Sequence, residues 1–376
     1  MASPSEVSAV SIARGFRARR RRVALSLVLL ACILVAVATA AACIGPVPIA
    51  PADVVRVIVA ELSGDDPGGP AQTIVWNTRL PRILMAIVAG AMLAAAGAVF
   101  QALARNGLAD PYLLGINSGA STGAAVVVLV VGSGSALLFS GGALVGAVAA
   151  ILLVLLLSST AGTRGPFRIV LAGLAVGYAL NAVTSFLIFW SDSPEAARSV
   201  LFWLLGSLAS VQPIALLAAG AITVLALVAL TSAGPLLDAL ASGDDSARSV
   251  GIDPERMRLL LMAATSAAVG VVVAGVGGIG FLGLVVPHLA RQLVGSRHRA
   301  ILPASALLGA LLLVCADTVA RTALAPQEIP VGVITGVIGA PVLLLLLRGG
   351  HGHRSGPAPA GRPHPKTLSL PRESTP

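Results

Sequence analysis

Long apolar runs separated by short polar turns dominate this chain. The runs are about 20 residues long, the length of a helix that crosses a bilayer. Ten spans follow from them: residues 23–43, 83–104, 113–131, 136–157, 167–190, 213–230, 259–276, 277–294, 301–320 and 331–347. The eighth is short and contains Pro287, His288 and Arg291. The pattern predicts an all-α polytopic membrane protein. A basic tail over residues 1–22 precedes a transmembrane domain over 23–348. The segment 349–376 is polar and rich in Pro, Gly, Ser and Arg, a composition with nothing to bury, and is expected to be disordered.

Composition agrees with the spans. Hydrophobic residues make up 56% of the chain and charged residues 11%, against about 25% charged in a soluble domain. The net charge of +9 does not point to nucleic acid, because the basic residues sit at span ends and in the tails, where membrane topology places them. With ten spans and a cytoplasmic N-terminus, only Arg56, Arg79, Arg82, Arg198 and Arg321 fall outside, and the other basic residues face the cytoplasm. Removing the eighth span makes the two sides nearly equal, so the positive-inside rule keeps it and puts both termini in the cytoplasm. The first run is longer than the roughly 7–15 residues of a signal-peptide core, so it reads as a retained helix. Cys32, Cys43 and Cys315 form no close-spaced motif and read as small apolar fillers.

Small residues mark the faces where helices meet in a membrane. Gly90 and Gly97 share a face, and Gly142 and Gly146 have GxxxG spacing. In the fifth span Gly173, Gly177, Asn181 and Ser185 recur every four residues along one stripe; the tenth carries Gly332, Thr335, Gly336 and Gly339. Tight packing accounts for the glycines. The polar members call for another helix or a wet path, since an unpaired polar group is costly against lipid. The glycines from Gly275 to Gly283 predict a bend inside protein, and His288 reads as a hydrogen-bonded packing residue. Asp317, the one carboxylate inside a span, is expected to pair with Arg321 four residues on.

The longest cytoplasmic insertion, residues 236–258, mixes Asp238, Asp244, Asp245, Asp253 and Glu255 with Arg248, Arg256 and Arg258. It predicts two short helices broken at Gly251, with Asp253-Pro254 as an N-cap followed by a first-turn proline. Taken alone, the loop is compatible with a simple solvated connection.

Several blocks carry a family resemblance: RLPRILMAIVAGAMLAAAGAVFQALARNGLADPYLLGINSGAS from Arg79, GDDSARSVG from Gly243, then GGIGFLGLVVPHLARQLVG, LLVCADTVAR and IPVGVITGVIGAPVLLLLL. In this order, from about Arg79 to Leu347, the chain resembles the FecCD-type permeases, membrane subunits of iron-siderophore and vitamin B12 ABC importers. The resemblance implies a vitamin B12 permease-like, type II importer fold. It implies a second permease subunit, identical or related, two ATP-binding cassette subunits and an extracytoplasmic binding protein, in the plasma membrane. Gly243, Asp244, Asp245, Ala247, Arg248 and Gly251 match the family's ATPase-coupling segment, where the family usually has glutamates at the two aspartate positions. Arg79, Arg82 and Arg321 match a positive rim that receives glutamates of the binding protein. Gly173, Gly177, Asn181, Ser185, Gly332, Thr335 and Gly336 lie on the two helices that line the family's translocation route. The implied cargo is a ferric siderophore, with vitamin B12 or haem as alternatives; no Met or Cys cluster and no aromatic ring of residues marks haem handling.

The residues by themselves ask for no cofactor or metal and offer no catalytic constellation. Two histidines, His351 and His353, are too few for a protein-only metal site. The only lysine, Lys366, follows Pro365 without a glycine-rich turn, so the chain has no Walker A loop. An ion-coupled secondary transporter is the competing class, and it would normally show acidic partners deep in the membrane.

Overall fold

The computed structural model describes residues 4–65, 68–132, 135–160 and 166–349. The expected tail beyond Gly349, with His351 and His353, lies outside the described residues. Helix α1 (Pro4–Cys43) runs through the basic segment read above as a tail. Then come α2 (Pro51–Ser63), α3 (Gly69–Gln72) and a π-helical stretch, Thr73–Arg79, that feeds directly into α4 (Leu80–Ala104). A 3-10 turn, Pro111–Leu114, precedes α5 (Ile116–Ala125), which continues as π-helix through Val130. The bundle continues with α6 (Ala136–Thr160), α7 (Pro166–Phe189), α8 (Pro194–Leu204) and α9 (Pro213–Ser232). Two short helices, α10 (Gly234–Ser242) and α11 (Asp244–Ser249), lead to α12 (Pro254–Val276), α13 (Leu282–Val294), α14 (His298–Ala320) and α15 (Val331–Gly349).

Among the described residues, seven helices are long and apolar enough to cross a membrane, and three shorter apolar ones, Ile116–Val130, Leu282–Val294 and Val331–Leu345, occupy the other expected spans. All ten spans are therefore helical. The eighth starts five residues later than its apolar run, because Gly277–Phe281 is a bend. Helices α2 and α8 lie between spans; at 13 and 11 residues they are too short to register as apolar runs.

Helix α4 is the centre. Alanine and glycine leave its backbone bare enough for neighbours to approach on almost every side, and nearly all of it is buried. Gly90 lies against the backbone of Gly309 in α14, and Gly97 against Gly283 at the start of α13. Between α5 and α6 the same device appears twice, Gly119 on Gly146 and Gly123 on Gly142.

The expected bend is present and buried. Gly277 and Phe281 adopt left-handed φ values of 73° and 69°. Ile279, between them, is 1% exposed. Its two backbone groups are both satisfied by one side chain: Ile279 N–H donates to Tyr112 Oη at 3.1 Å, and the Tyr112 hydroxyl donates to Ile279 O at 3.1 Å. This is how irregular backbone is accommodated inside a membrane bundle.

Candidate functional site

Three groups of sequence-selected residues now have positions. The first is the α10–α11 module at one end of the bundle. Gly243, at φ 128°, turns the chain between the two short helices. The expected break at Gly251, φ 81°, is present and separates α11 from α12; a second break falls at Gly243, and the helix beyond Gly251 is the long α12 rather than a separate short one. Asp253 caps α12 as expected, accepting from the N–H groups of Glu255 and Arg256.

The two adjacent aspartates point in opposite directions. Asp244 Oδ1 accepts from Arg105 at 2.7 Å and from Arg258 at 2.8 Å. Arg258 is 4% exposed and also donates to Leu103 O at 3.0 Å, so Asp244 is fastened to the ends of α4 and α12. Ala247 packs inward. Asp245 is fully exposed and, among the described residues, pairs with Arg248 on its own helix, at 3.3 Å. With Val250, 65% exposed, these two form an outward tip next to the turn at Gly251. A surface pair of this kind holds little energy, so the tip is free to bind something else.

The hydrogen bond from Arg258, more than the Coulombic pull of Arg258, Arg105 and Arg248, holds the Asp244 carboxyl below its ordinary range. A depressed carboxylate stabilises the fold above its unfolded pKa of about 3.9, and that stability is lost as pH falls through the lower folded value. The module's attachment is therefore expected to be unchanged between pH 5 and 8 and to loosen only in strong acid; limited proteolysis at Gly243 and Gly251 across pH would show it. Cleavage that rises already between pH 7 and 5 would contradict the clamp.

The second group is at the opposite end. The three arginines of the expected positive rim lie together here, and within this chain they are buried and engaged. Arg79 donates to the carbonyls of Ala42 at 2.7 Å, Cys43 at 3.1 Å, and Val47, where α1 ends. Arg82 donates to Asp317 at 2.7 Å and to both carboxylate oxygens of Glu328 at 3.0 and 2.8 Å. Arg321 donates to Ala41 O and lies 3.7 Å from Asp317. The expected Arg321–Asp317 pair thus exists but is the looser one; the close partner of Asp317 comes from α4. Glu328, in the connection to α15, was not anticipated.

The third group is the proposed path stripe, which divides. Gly173 and Gly177 are packed against the turn formed by Leu113, Leu114 and Gly115. Gly332 meets the carbonyls of Leu205 and Gly278, and Thr335 is buried, donating to Gly332 O at 3.1 Å. Backbone from another element already occupies the space beside Gly173 and Gly332, and Gly177 and Thr335 are buried. Gly336 is half-buried near Phe281. Asn181 and Ser185 are exposed on α7. They share that free face with Tyr178 and Phe189, 70% and 87% exposed. Sequence reading passed over these two aromatics, although a spacing of 11 residues, three helical turns, puts them on one side.

Among the described residues no three His, Cys, Asp or Glu side chains converge as a metal site. His288 is a packing residue, its Nε2 3.0 Å from Gly107 O.

The family model described as the FecCD transport family matches residues 21–349. The chain belongs to that family. It is 41% identical to the vitamin B12 import system permease BtuC of Vibrio cholerae, over 74% of this chain and 84% of the relative. It is 36% identical to the Fe(3+)-citrate import system permease YfmE of Bacillus subtilis, over 88% and 96%. The hemin transport system permease HmuU of Yersinia pestis is also 36% identical, over 75% and 85%. A metal-chelate type ABC transporter solved in an inward-facing conformation shares the fold with a TM-score of 0.76 and 30% identity, covering 86% of this chain and 98% of that one. This FecCD-family member is a multi-pass membrane protein and a permease subunit of the ABC importer class. The type II importer fold implied by the resemblance is the one observed.

Proposed function

We propose that this permease carries a ferric siderophore across the plasma membrane, with both termini and the α10–α11 module in the cytoplasm. Two ATP-binding cassette subunits bind the module and hydrolyse the ATP, since this chain has no Walker lysine. The observation that carries the reading is the division of the module: Asp244 fastens it to α4 and α12, while Asp245, Arg248 and Val250 are presented outward. A part that is rigidly attached and has an exposed, weakly paired tip is suited to passing on a push.

A second permease subunit, identical or related, covers the free face of α7. Asn181 and Ser185 would be unpaired against lipid and are at home beside water or another subunit. The translocation route runs along that face and past the exposed side of α15. A substrate-binding protein docks at the opposite end from the module, where Arg79, Arg82 and Arg321 hold the surface together from beneath rather than offering free charges.

The relatives' names favour a metal chelate or tetrapyrrole cargo: vitamin B12, Fe(3+)-citrate and hemin. The deciding experiment is uptake of radiolabelled ferric siderophores by iron-starved cells with and without the gene. Loss of uptake of one siderophore class, restored by the gene, is the expected result. Unchanged ferric siderophore uptake with lost cobalamin or haem uptake would replace the cargo and leave the permease reading in place.

A further inference from the structure

The α10–α11 module is attached to the bundle at a second point, separate from Asp244. Asp238 lies in the middle of α10, between Leu237 and Leu240, both fully buried. Its Oδ1 accepts two hydrogen bonds from the first residue of α14: the backbone N–H of His298 at 3.0 Å and the ring Nδ1–H at 2.6 Å. The residue before the helix, Arg297, makes no side-chain cap. A carboxylate from a different helix therefore caps the start of α14, where backbone N–H groups are unsatisfied and the helix dipole favours negative charge. The His298 ring is 5% exposed, and among the described residues its Nε2 has no partner. Asp238 is thus the polar contact that holds the ring. One turn earlier, Gly234 lies against the backbone of Arg299, so α10 rests directly on the beginning of α14.

Helix α14 then continues without a break to Ala320. From His298 to Asp317 is about 28 Å at 1.5 Å per residue. At the far end Asp317 is held by Arg82. The helix thus has a carboxylate-centred attachment at each end, one to the module and one to the buried ion cluster. Along its length it lies against α4, with Gly309 on Gly90. Packed helices shift as bodies rather than compress.

We infer that Asp238 and His298 are the positioning pair that ties the ATPase-contacting module to α14, so that a displacement of α10 moves α14 and the Arg82–Asp317–Glu328 cluster at its other end. The inference rests on the reading that α10 and α11 receive the ATPase. It makes Asp244 and Asp238 two grips with different targets: the first moves α4 and α12, the second moves α14.

The test uses the full chain reconstituted in liposomes with its ATPase subunits, binding protein and cargo, and reads both ATP hydrolysis and cargo moved per ATP. Asp238→Ala is expected to keep the ATPase subunits bound and hydrolysis within about twofold, while cargo per ATP falls about tenfold, the scale of a lost coupling contact. Asp238→Asn, which retains an acceptor for both N–H groups, is expected to restore most of it. If Asp238→Ala does not accumulate, His298→Ala, which keeps the backbone bond, reads the same contact with a smaller drop. Normal cargo per ATP in the Ala variants overturns the inference. So does a proportional loss of assembly and hydrolysis that Asn does not rescue, because that is a purely structural role. A wild-type chain that binds no ATPase subunit is a different failure: it removes the proposed function itself.

Discussion

Asp317→Ala is expected to cause the largest loss of stability of any single polar substitution in this permease. The carboxylate side chain is 2% exposed and lies between two guanidinium groups, Arg82 at 2.7 Å and Arg321 at 3.7 Å. Removing it leaves Arg82 with Glu328 alone and takes from Arg321 its ion-pair partner, its Nε already without a hydrogen-bond partner. Breaking one side of a buried pair costs about 3–5 kcal/mol, a large part of the roughly 5–15 kcal/mol that holds an ordinary fold. Glu328→Ala is expected to cost much less, since the Glu328 side chain is 35% exposed and water replaces what it gives Arg82. The double variant Arg82→Leu with Asp317→Leu is expected to be more stable than Asp317→Ala, because two apolar groups need no partner. Membrane yield and thermal stability in detergent report all three. Equal stability of Asp317→Ala and wild type would show that the cluster does not hold this end together.

Gly97→Ala is the second substitution with a large expected effect, although it adds a single methyl group. The methyl would overlap the backbone of Gly283, both its carbonyl oxygen and its Cα. Backbone has no rotamer to give, so α4 and the start of α13 must separate. Overpacking of this kind costs about 1–3 kcal/mol and occasionally more. Separation also pulls on Gln101, whose amide donates to Gly283 O at 3.0 Å one turn along. Gly141→Ala is the matched control: it is another helical glycine, with nothing within 4 Å of the added methyl. The same substitution is expected to lower thermal stability at position 97 and leave it unchanged at 141. Equal behaviour at the two sites would mean that α4 and α13 are not in close contact in the membrane.

The spans could be read because bilayer thickness is written directly as run length, and the glycine contacts because close approach in a membrane needs small residues at helical spacing. The buried bend was equally plain from the glycines of Gly275–Gly283. What could not be read was which element covers which face. Gly173 and Asn181 lie on one stripe of α7 by periodicity, yet the turn after Pro111 covers the first and leaves the second free. Arg82 and Asp317 are 235 residues apart, and no local pattern links them; the i, i+4 spacing instead pointed to Arg321. The same blindness hid the burial of the three rim arginines, since sequence shows their charge but not the carbonyls of Ala42 and Cys43 that accept from Arg79. Helices α2 and α8 escaped because hydropathy detects what crosses a membrane, not what lies between crossings.

The opposite orientations of Asp244 and Asp245 have an evolutionary consequence. A change at position 244 disturbs the fold of the permease, so selection there acts whatever ATPase is present. Under the proposed docking of the ATPase at this tip, a change at position 245 alters the face shown to that partner and, among the described residues, touches nothing in the bundle beyond the exposed Arg248 pair. Under the same docking, a duplicated permease can acquire a new ATPase, or lose an unwanted one, by drift at 245, 248 and 250 with the Asp244 clamp left in place. Swapping those three positions between related permeases is accordingly the smallest exchange that would redirect ATPase choice.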